Sequence, residues 1–177
     1  MAAQLGKPFS ILEGKLLIRY KGVFDFEGLY RMMHAWLINK RFLFHENQYK
    51  DKVYTPFGNE IEVKWVAEKK VTEFIKQYVT VHFHLWDFAE VEMIKDGKKV
   101  KMTQSRMEIR LDAQLELDYT KKFAGSEFSK KLGAFYTEKI IYWDWRIKYA
   151  DPLAYSLYDL HAKIKKYLNT ESPSNAY

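Results

Sequence analysis

An alternation of apolar and polar residues along residues 107–119 constrains the fold of this chain more than any other feature. Every odd position from Met107 to Tyr119 is apolar or aromatic, whereas the even positions between them carry charged or amide side chains. Because successive side chains of a β-strand point to opposite faces, this pattern predicts a strand with one buried and one solvated face. Such strands are typical of an antiparallel sheet that is covered on one side only.

The same alternation begins earlier in the chain, after a loop that ends at Pro56-Phe57-Gly58. Ile61, Val63 and Trp65 alternate with charged residues. A second strand carries its apolar residues on one face at Ile75, Val79, Val81, Phe83 and Leu85. Asp96-Gly97 is a strong hairpin signal, because a type I′ turn needs positive φ at both central residues. The sequence therefore predicts a meander of antiparallel strands.

Helical periodicity appears on both sides of the predicted meander. A strand over residues 15–23 is followed by Asp25 as a predicted N-cap and by apolar residues at three- and four-residue spacing. After the meander, Ser126 is expected to cap a helix, and Asp151-Pro152 to cap and begin another. This order predicts an α+β fold, in which a curved antiparallel sheet of about five to six strands packs against one or two long C-terminal helices.

The chain of 177 residues is long enough for one core and contains no Pro/Gly/Ser-rich linker. We therefore expect a flexible N-terminus over residues 1–10, a single α+β domain over residues 11–169 and a C-terminal tail over residues 170–177. The longest apolar runs fall far short of the ~20 residues that a transmembrane helix needs, and no secretory signal is apparent. A cytoplasmic protein is expected on these grounds.

The predicted order of elements resembles the START-like helix-grip arrangement. In that arrangement a sheet wraps around a C-terminal helix and often leaves an apolar cavity between them. Three short stretches of the sequence resemble parts of uncharacterised archaeal proteins: YKGVFDFEGLY, VAEKKVTEFIKQYV and LHAKIKKYLN. The helix-grip resemblance extends over nearly the whole chain but lies in element order, and the archaeal resemblance supplies no activity.

The helix-grip resemblance implies a non-catalytic binding module that holds an apolar small molecule or a partner segment between the sheet and the C-terminal helices. Candidate ligand-binding residues are bulky groups on the inferred inward faces: Trp36, Trp65, Phe83, Met107, Phe135 and Tyr136. Binding of a small molecule there would need a cavity of roughly 300 Å³ or more under the sheet.

The absence of cysteine excludes disulfides, thiolate metal sites and iron–sulfur clusters. The glycines form neither a P-loop nor a dinucleotide-binding fingerprint, and the sequence contains no GxSxG or HExxH run. No cofactor is therefore predicted. The sequence identifies no nucleophile or general base, which favours a binding protein over an enzyme.

Three pairs of ionisable residues occur at strand spacing on predicted solvated faces. They are the imidazoles of His82 and His84 and the carboxylate pairs Glu60 with Glu62 and Glu90 with Glu92. Imidazoles and carboxylates bind metal ions and transfer protons. Each pair alternates with apolar residues, however, and a solvated strand face accounts for that pattern more simply. We therefore predict neither a catalytic nor a metal site.

The chain carries 29 basic and 23 acidic side chains, and the resulting charge of +6 favours polyanionic partners. If the meander places two strand reversals between Lys69-Lys70 and the Asp96-Gly97 hairpin, and the chain reverses again near Thr103-Gln104-Ser105, lysines near the turns converge at one end of the sheet and form an anion-binding patch. These lysines are Lys69, Lys70, Lys95, Lys98, Lys99, Lys121 and Lys122. The patch would suit nucleic acid or another anionic surface, although the chain contains no recognised nucleic-acid-binding motif. Lysines at strand ends also prevent edge-to-edge pairing, which is the alternative explanation.

Aromatic side chains make up 17% of the chain and suggest one more function. Exposed aromatic residues often form protein interfaces. A structural or assembly subunit that forms homo-oligomers through aromatic residues and tails is therefore a further hypothesis.

Overall fold

The structure is a computed structural model that describes residues 5–55, 58–95 and 98–169. Its strands are β1 (Phe9–Ser10), β2 (Leu16–Phe24), β3 (Leu43–Thr55), β4 (Gly58–Lys70), β5 (Ile75–Lys95) and β6 (Lys98–Leu117). Its helices are α1 (Phe26–Asn39), α2 (Glu127–Phe135), α3 (Tyr142–Trp145) and α4 (Asp151–Tyr167), with π-helical turns over Tyr136–Ile140 and Arg146–Ala150. The predicted α+β fold is confirmed.

The strands form a single six-stranded antiparallel sheet. Strands β3, β4, β5 and β6 are a meander, and both β1 and β2 pair with the remaining edge of β6. Helix α1 therefore connects one edge of the sheet to the other. The predicted turn at Asp96-Gly97, the loop residues Pro56-Phe57 and the tail over residues 170–177 lie outside the described residues.

The inner face of the sheet is the core of the protein. All the apolar residues that the alternation assigned to one face of β4 and β5 are buried, as are the odd positions of β6 from Met107 to Leu117. Helix α1 covers this face with Leu29, Met33 and Leu37, and α4 covers it with a stripe of its own: Leu153, Leu157, Leu160 and Ile164.

Local capping explains where the first two helices begin. The Asp25 carboxylate accepts a hydrogen bond from the Gly28 amide at 2.8 Å, and the Ser126 hydroxyl accepts one from the Ser129 amide at 3.2 Å. The predicted cap at Asp151 is wrong, because the π-helical turn before it leads directly into α4. Among the described helices, none is long and apolar enough to span a bilayer.

Strand β5 contains a β-bulge that the alternation did not predict. Residues 85–88 of β5 lie opposite Asn59–Ile61 of β4, so β5 has one extra residue there. Residues 86–89 of β5 also lie opposite only three residues of β6, 104–106. Asp87 adopts φ of 55°, and the bulge reverses which residues face the core. As a result Phe88, rather than an odd-numbered residue, packs on the inner side against Phe26.

The N-terminal residues also contribute to the sheet. Leu5 forms a bridge to Leu117, and Phe9–Ser10 pairs with β6 at Gln114 and Leu115. The Ser10 hydroxyl donates a hydrogen bond to the Asp112 carboxylate at 2.6 Å.

Candidate functional site

The outer face of the sheet brings one residue of the predicted histidine pair next to the carboxylate pair Glu60 and Glu62. Strands β4 and β5 are neighbours, and Glu62 lies directly opposite His84 in their register. Glu60 is two residues before Glu62, so it points to the same face. The imidazole of His84 and both carboxylates therefore converge on one point of the open face.

The ligand atoms in this cluster lie close to one another. His84 Nε2 is 2.5 Å from Glu60 Oε1 and 3.9 Å from Glu62 Oε1. One potential ligand atom from each of the three residues fits within a mutual separation of 4.8 Å. The side chains are 16–21% exposed, which leaves the cluster open to solvent on one side. Gln48 supports it by donating its side-chain amide to Glu62 at 3.3 Å.

These separations suit a divalent metal ion. A tetrahedral ion with bonds of about 2.1 Å holds its ligand atoms about 3.4 Å apart. The two distances from His84 bracket this value, and all three ligand atoms lie within 4.8 Å of one another. Three protein ligands would leave a further coordination position for an external oxygen atom. An ion held in this way can orient an anionic ligand or polarise a bound water molecule.

His82 lies on the same face, one step along β5, with its ring centroid 6.2 Å from that of His84. Burial is the main cause that lowers the pKa of His82 below its ordinary value of 6.5, and the nearby Lys64 ammonium adds to this effect. Its Nε2 atom is buried and has no hydrogen-bond partner among the described residues. Both causes favour the neutral imidazole of His82, which is the form that binds a metal ion.

The β5 bulge lies directly beside the cluster and depends on Gly58. A Cβ atom on Gly58 would be 2.6 Å from the carbonyl carbon of Asp87, and the φ of Gly58 is 145°. Both the close approach and the backbone conformation require glycine at this position. Trp86 lies two residues after His84 on the same face of β5, and the two rings are tilted by 30° with centroids 3.8 Å apart.

A groove of about 610 Å³ adjoins the cluster on the far side of Trp86. It is lined by Arg19, Tyr20, Lys21, Trp86, Arg106, Met107 and Glu108. A second depression of about 480 Å³ shares Lys21 and Arg106 with it. The Arg106 guanidinium lies over the Trp86 ring at 5.2 Å, which combines a cation with a flat aromatic surface.

Glu108 organises the cationic side of this groove. Arg19 Nε donates a hydrogen bond to it at 2.8 Å, and Arg110 Nη2 lies 2.5 Å from its other oxygen. The hydrogen bond from Arg19 is the largest cause that lowers the pKa of Glu108 below its ordinary value. The alternation had assigned Glu108 and Asp112 to a solvated face, and that detail is wrong. Both are buried by their hydrogen-bonded neighbours on the outer face.

The six predicted ligand-binding residues do not lie together. Trp36, Trp65, Phe83 and Met107 are buried, and the ring centroids of Trp65 and Phe83 are 4.8 Å apart. Phe135 is 56% exposed and points away from the core. Tyr136 lines a separate depression of about 400 Å³ between the C-terminal helices and one end of the sheet.

The seven predicted anion-binding lysines are not brought together either. The expected convergence is wrong, because β5 continues through its bulge instead of reversing. Lys69 and Lys70 are the last residues of β4, and Lys121 and Lys122 follow β6, at one end of the sheet, whereas Lys99 lies at the opposite end. The backbones of Lys95 and Lys98 are at that opposite end too, but their side chains lie outside the described part of the chain.

At least three of these lysines have local structural partners, and one of them is Lys99, whose Nζ lies 3.4 Å from the Glu92 carboxylate. Lys69 Nζ donates a hydrogen bond to the Lys40 carbonyl at the end of α1, at 3.1 Å. Lys70 Nζ lies 6.0 Å from the centre of the Tyr119 ring. Anion binding at either end of the sheet stays a prediction.

Comparison with known proteins gives no further assignment, since no protein-family model, curated protein or solved structure matches this chain.

Proposed function

We propose that this protein binds a divalent transition-metal ion on the open face of its sheet and uses the ion to hold an anionic ligand. Glu60, Glu62 and His84 would bind the metal, and the neighbouring groove would hold the ligand. The single observation that carries the proposal is the convergence of one imidazole and two carboxylates at 2.5 and 3.9 Å. The chemistry of this ligand set suits Zn²⁺ and Mn²⁺ better than Mg²⁺.

The groove supports an anionic ligand by its charge and shape. Arg19, Lys21 and Arg106 line it, and Trp86 offers a flat surface for a planar group. Because the Trp86 and His84 rings are in contact, a ligand in the groove could extend an oxygen to the free coordination position of the metal. The ligand class is therefore a small anion such as a phosphorylated or carboxylated compound.

The first test is calorimetric titration of the full-length protein with Zn²⁺, and with Mn²⁺ for comparison. We expect one ion per chain and tighter binding of Zn²⁺, in keeping with the general order of metal affinities. His84→Ala and Glu62→Gln should each weaken Zn²⁺ binding at least about tenfold. Acidification should weaken binding as well, since protons compete with the metal for the imidazole and the carboxylates.

A matched control separates the cluster from nonspecific binding by histidine. His45 is exposed on β3, away from the inner core, and His45→Ala removes one imidazole without touching the cluster. This variant should bind Zn²⁺ like the unaltered protein. Equal binding by His84→Ala and His45→Ala would overturn the proposal, as would the absence of any bound ion.

A second titration tests the groove. Inorganic phosphate should bind to the Mn²⁺-loaded protein more tightly than to the metal-free protein. Arg106→Gln should weaken phosphate binding while leaving Mn²⁺ binding unchanged, because Arg106 is in the groove but not in the cluster. Phosphate binding that is independent of the metal would refute the link between the two sites.

A further inference from the structure

A segment over residues 121–150 exposes an unusual set of large apolar side chains. Six of them are 48–76% exposed. They are Phe128, Leu132, Phe135, Ile140, Trp143 and Ile147. Apolar side chains grouped in this way usually mark a surface that contacts something else.

The exposed residues of α2 form one stripe along the helix. Phe128, Leu132 and Phe135 are spaced by four and three residues and therefore share a face. The opposite face is held against the protein, since Gly133 is buried, as is Thr137 in the π-helical turn that follows. A Cβ atom on Gly133 would be 2.7 Å from the Phe123 side chain, which shows how closely α2 packs on that side. The apolar stripe therefore points outward from a fixed helix.

Helix α3 and the π-helical turn after it also expose apolar side chains on one side and bury an aromatic ring on the other. Trp143 and Ile147 are four residues apart and exposed, whereas Trp145 between them is buried. The Trp145 ring packs edge-on against Phe9 at 5.8 Å, and its Nε1 donates to the Thr137 carbonyl at 3.3 Å. This anchoring fixes the direction of the second stripe too.

Exposed basic side chains are interspersed with the two apolar stripes along the segment. The segment contains seven basic and three acidic residues, so its net charge is +4. All seven basic side chains are exposed: Lys121, Lys122, Lys130, Lys131, Lys139, Arg146 and Lys148. Two of them have acidic partners within the segment, Lys130 with Glu127 and Lys148 with Asp144.

We propose that residues 121–150 dock the protein on the anionic surface of a lipid bilayer. Outward apolar stripes bordered by Lys and Arg are the features of helices that lie in the bilayer interface. The basic side chains would contact lipid phosphates while the apolar ones enter the headgroup region. A second copy of this chain fits less well, because a symmetric dimer would place this cationic segment against itself. This docking surface is separate from the proposed metal site at Glu60, Glu62 and His84, and lipid binding does not depend on that site.

Flotation of the full-length protein with lipid vesicles tests the proposal. We expect binding to vesicles of mixed phosphatidylglycerol and phosphatidylcholine and little binding to vesicles of pure phosphatidylcholine. High salt should weaken the binding by screening the basic side chains. Exchange of both Phe128 and Trp143 for Ser should reduce the partition coefficient at least about tenfold, through the loss of buried apolar area.

The matched apolar control is Leu43→Ser with Ile94→Ser, because these residues are 59% and 77% exposed on strands outside the segment. This double variant should bind vesicles like the unaltered protein. The Phe128 and Trp143 side chains are exposed, so their removal should leave the fold intact, which circular dichroism would verify. Equal vesicle binding by the two double variants would overturn the proposal.

A charge-matched pair tests the electrostatic part. Lys131→Glu with Lys139→Glu should abolish the preference for phosphatidylglycerol, whereas Lys50→Glu with Lys52→Glu on β3 changes the total charge equally and should preserve it. Light scattering in the absence of lipid measures the oligomeric state and so tests the alternative of self-association. A dimer that the Phe128/Trp143 double variant converts to monomer, together with no vesicle binding, would assign the segment to self-association and refute lipid docking.

Discussion

The two faces of the sheet are built from alternate residues of the same strands, yet they differ in how they are stabilised. On the inner face, residues such as Val81 and Phe83 are buried by neighbouring apolar groups and by the helices. On the outer face, Glu108 and His84 are held by ion pairs and hydrogen bonds to residues of adjacent strands. Apolar contacts need only complementary volume, whereas polar contacts need particular partners at particular distances. The outer face is therefore where specific chemistry can occur.

The largest effect is expected from an inner-face truncation. Phe83 is fully buried and contacts the rings of Trp65, Phe26 and Tyr30. Phe83→Ala should lower the free energy of unfolding by about 3–5 kcal/mol through lost burial and a cavity. Urea denaturation would measure the change. A loss below ~1 kcal/mol would mean that the inner face is loosely packed, and the contrast between the faces would fail.

An exchange of side chains between two neighbouring residues compares the faces directly. Val81 is buried on the inner face, and Thr80 is half-buried on the outer face. Val81→Thr should cost about 1–3 kcal/mol, because it buries a hydroxyl among apolar groups. Thr80→Val should change stability by less than about 0.5 kcal/mol. Similar losses from both variants, measured by urea denaturation, would show that the two faces are equivalent at this point.

A smaller effect than either inner-face substitution is expected at the Glu108 ion pairs, and it should depend on pH. Glu108→Gln should cost about 1 kcal/mol at neutral pH, since Arg19 and Arg110 are largely exposed and their charges are screened. The pKa of Glu108 is lower in the folded protein than its ordinary value of 4.5. Its contribution is therefore complete above about pH 4.5 and is lost as the pH falls through the lower folded pKa.

Thermal unfolding across this pH range would measure the effect of Glu108. The stabilities of the unaltered protein and of Glu108→Gln should converge in acid. A difference between them that stays constant with pH would show that packing, rather than charge, accounts for the effect at this residue.

Much of the fold could be predicted from the alternation itself. The inward residues of β4, β5 and β6 and the caps at Asp25 and Ser126 all follow from local spacing and residue type. The bulge at Asp87 could not be predicted in the same way, because it arises from pairing with both neighbouring strands. Missing it led to the wrong expectation that lysines from both ends of the meander would meet.

The sequence predicted the two pairs that contribute to the candidate site, but not that they meet. The spacing of Glu60 with Glu62 and of His82 with His84 placed each pair on one face of a strand. Which carboxylate faces which imidazole depends on the register between β4 and β5, and that register places Glu62 opposite His84. A register estimate from the hydrophobic patterns of the two strands is the signal that could have joined the pairs.

The sequence by itself determined the fold class, the buried face of each central strand and the start of the first two helices. These properties depend on interactions between residues a few positions apart, which periodicity records directly. Only the tertiary structure decided the His84 cluster, the groove beside Trp86 and the outward direction of the apolar stripe on α2. Each of these depends on contacts between residues distant in the chain, and local spacing alone does not determine such contacts.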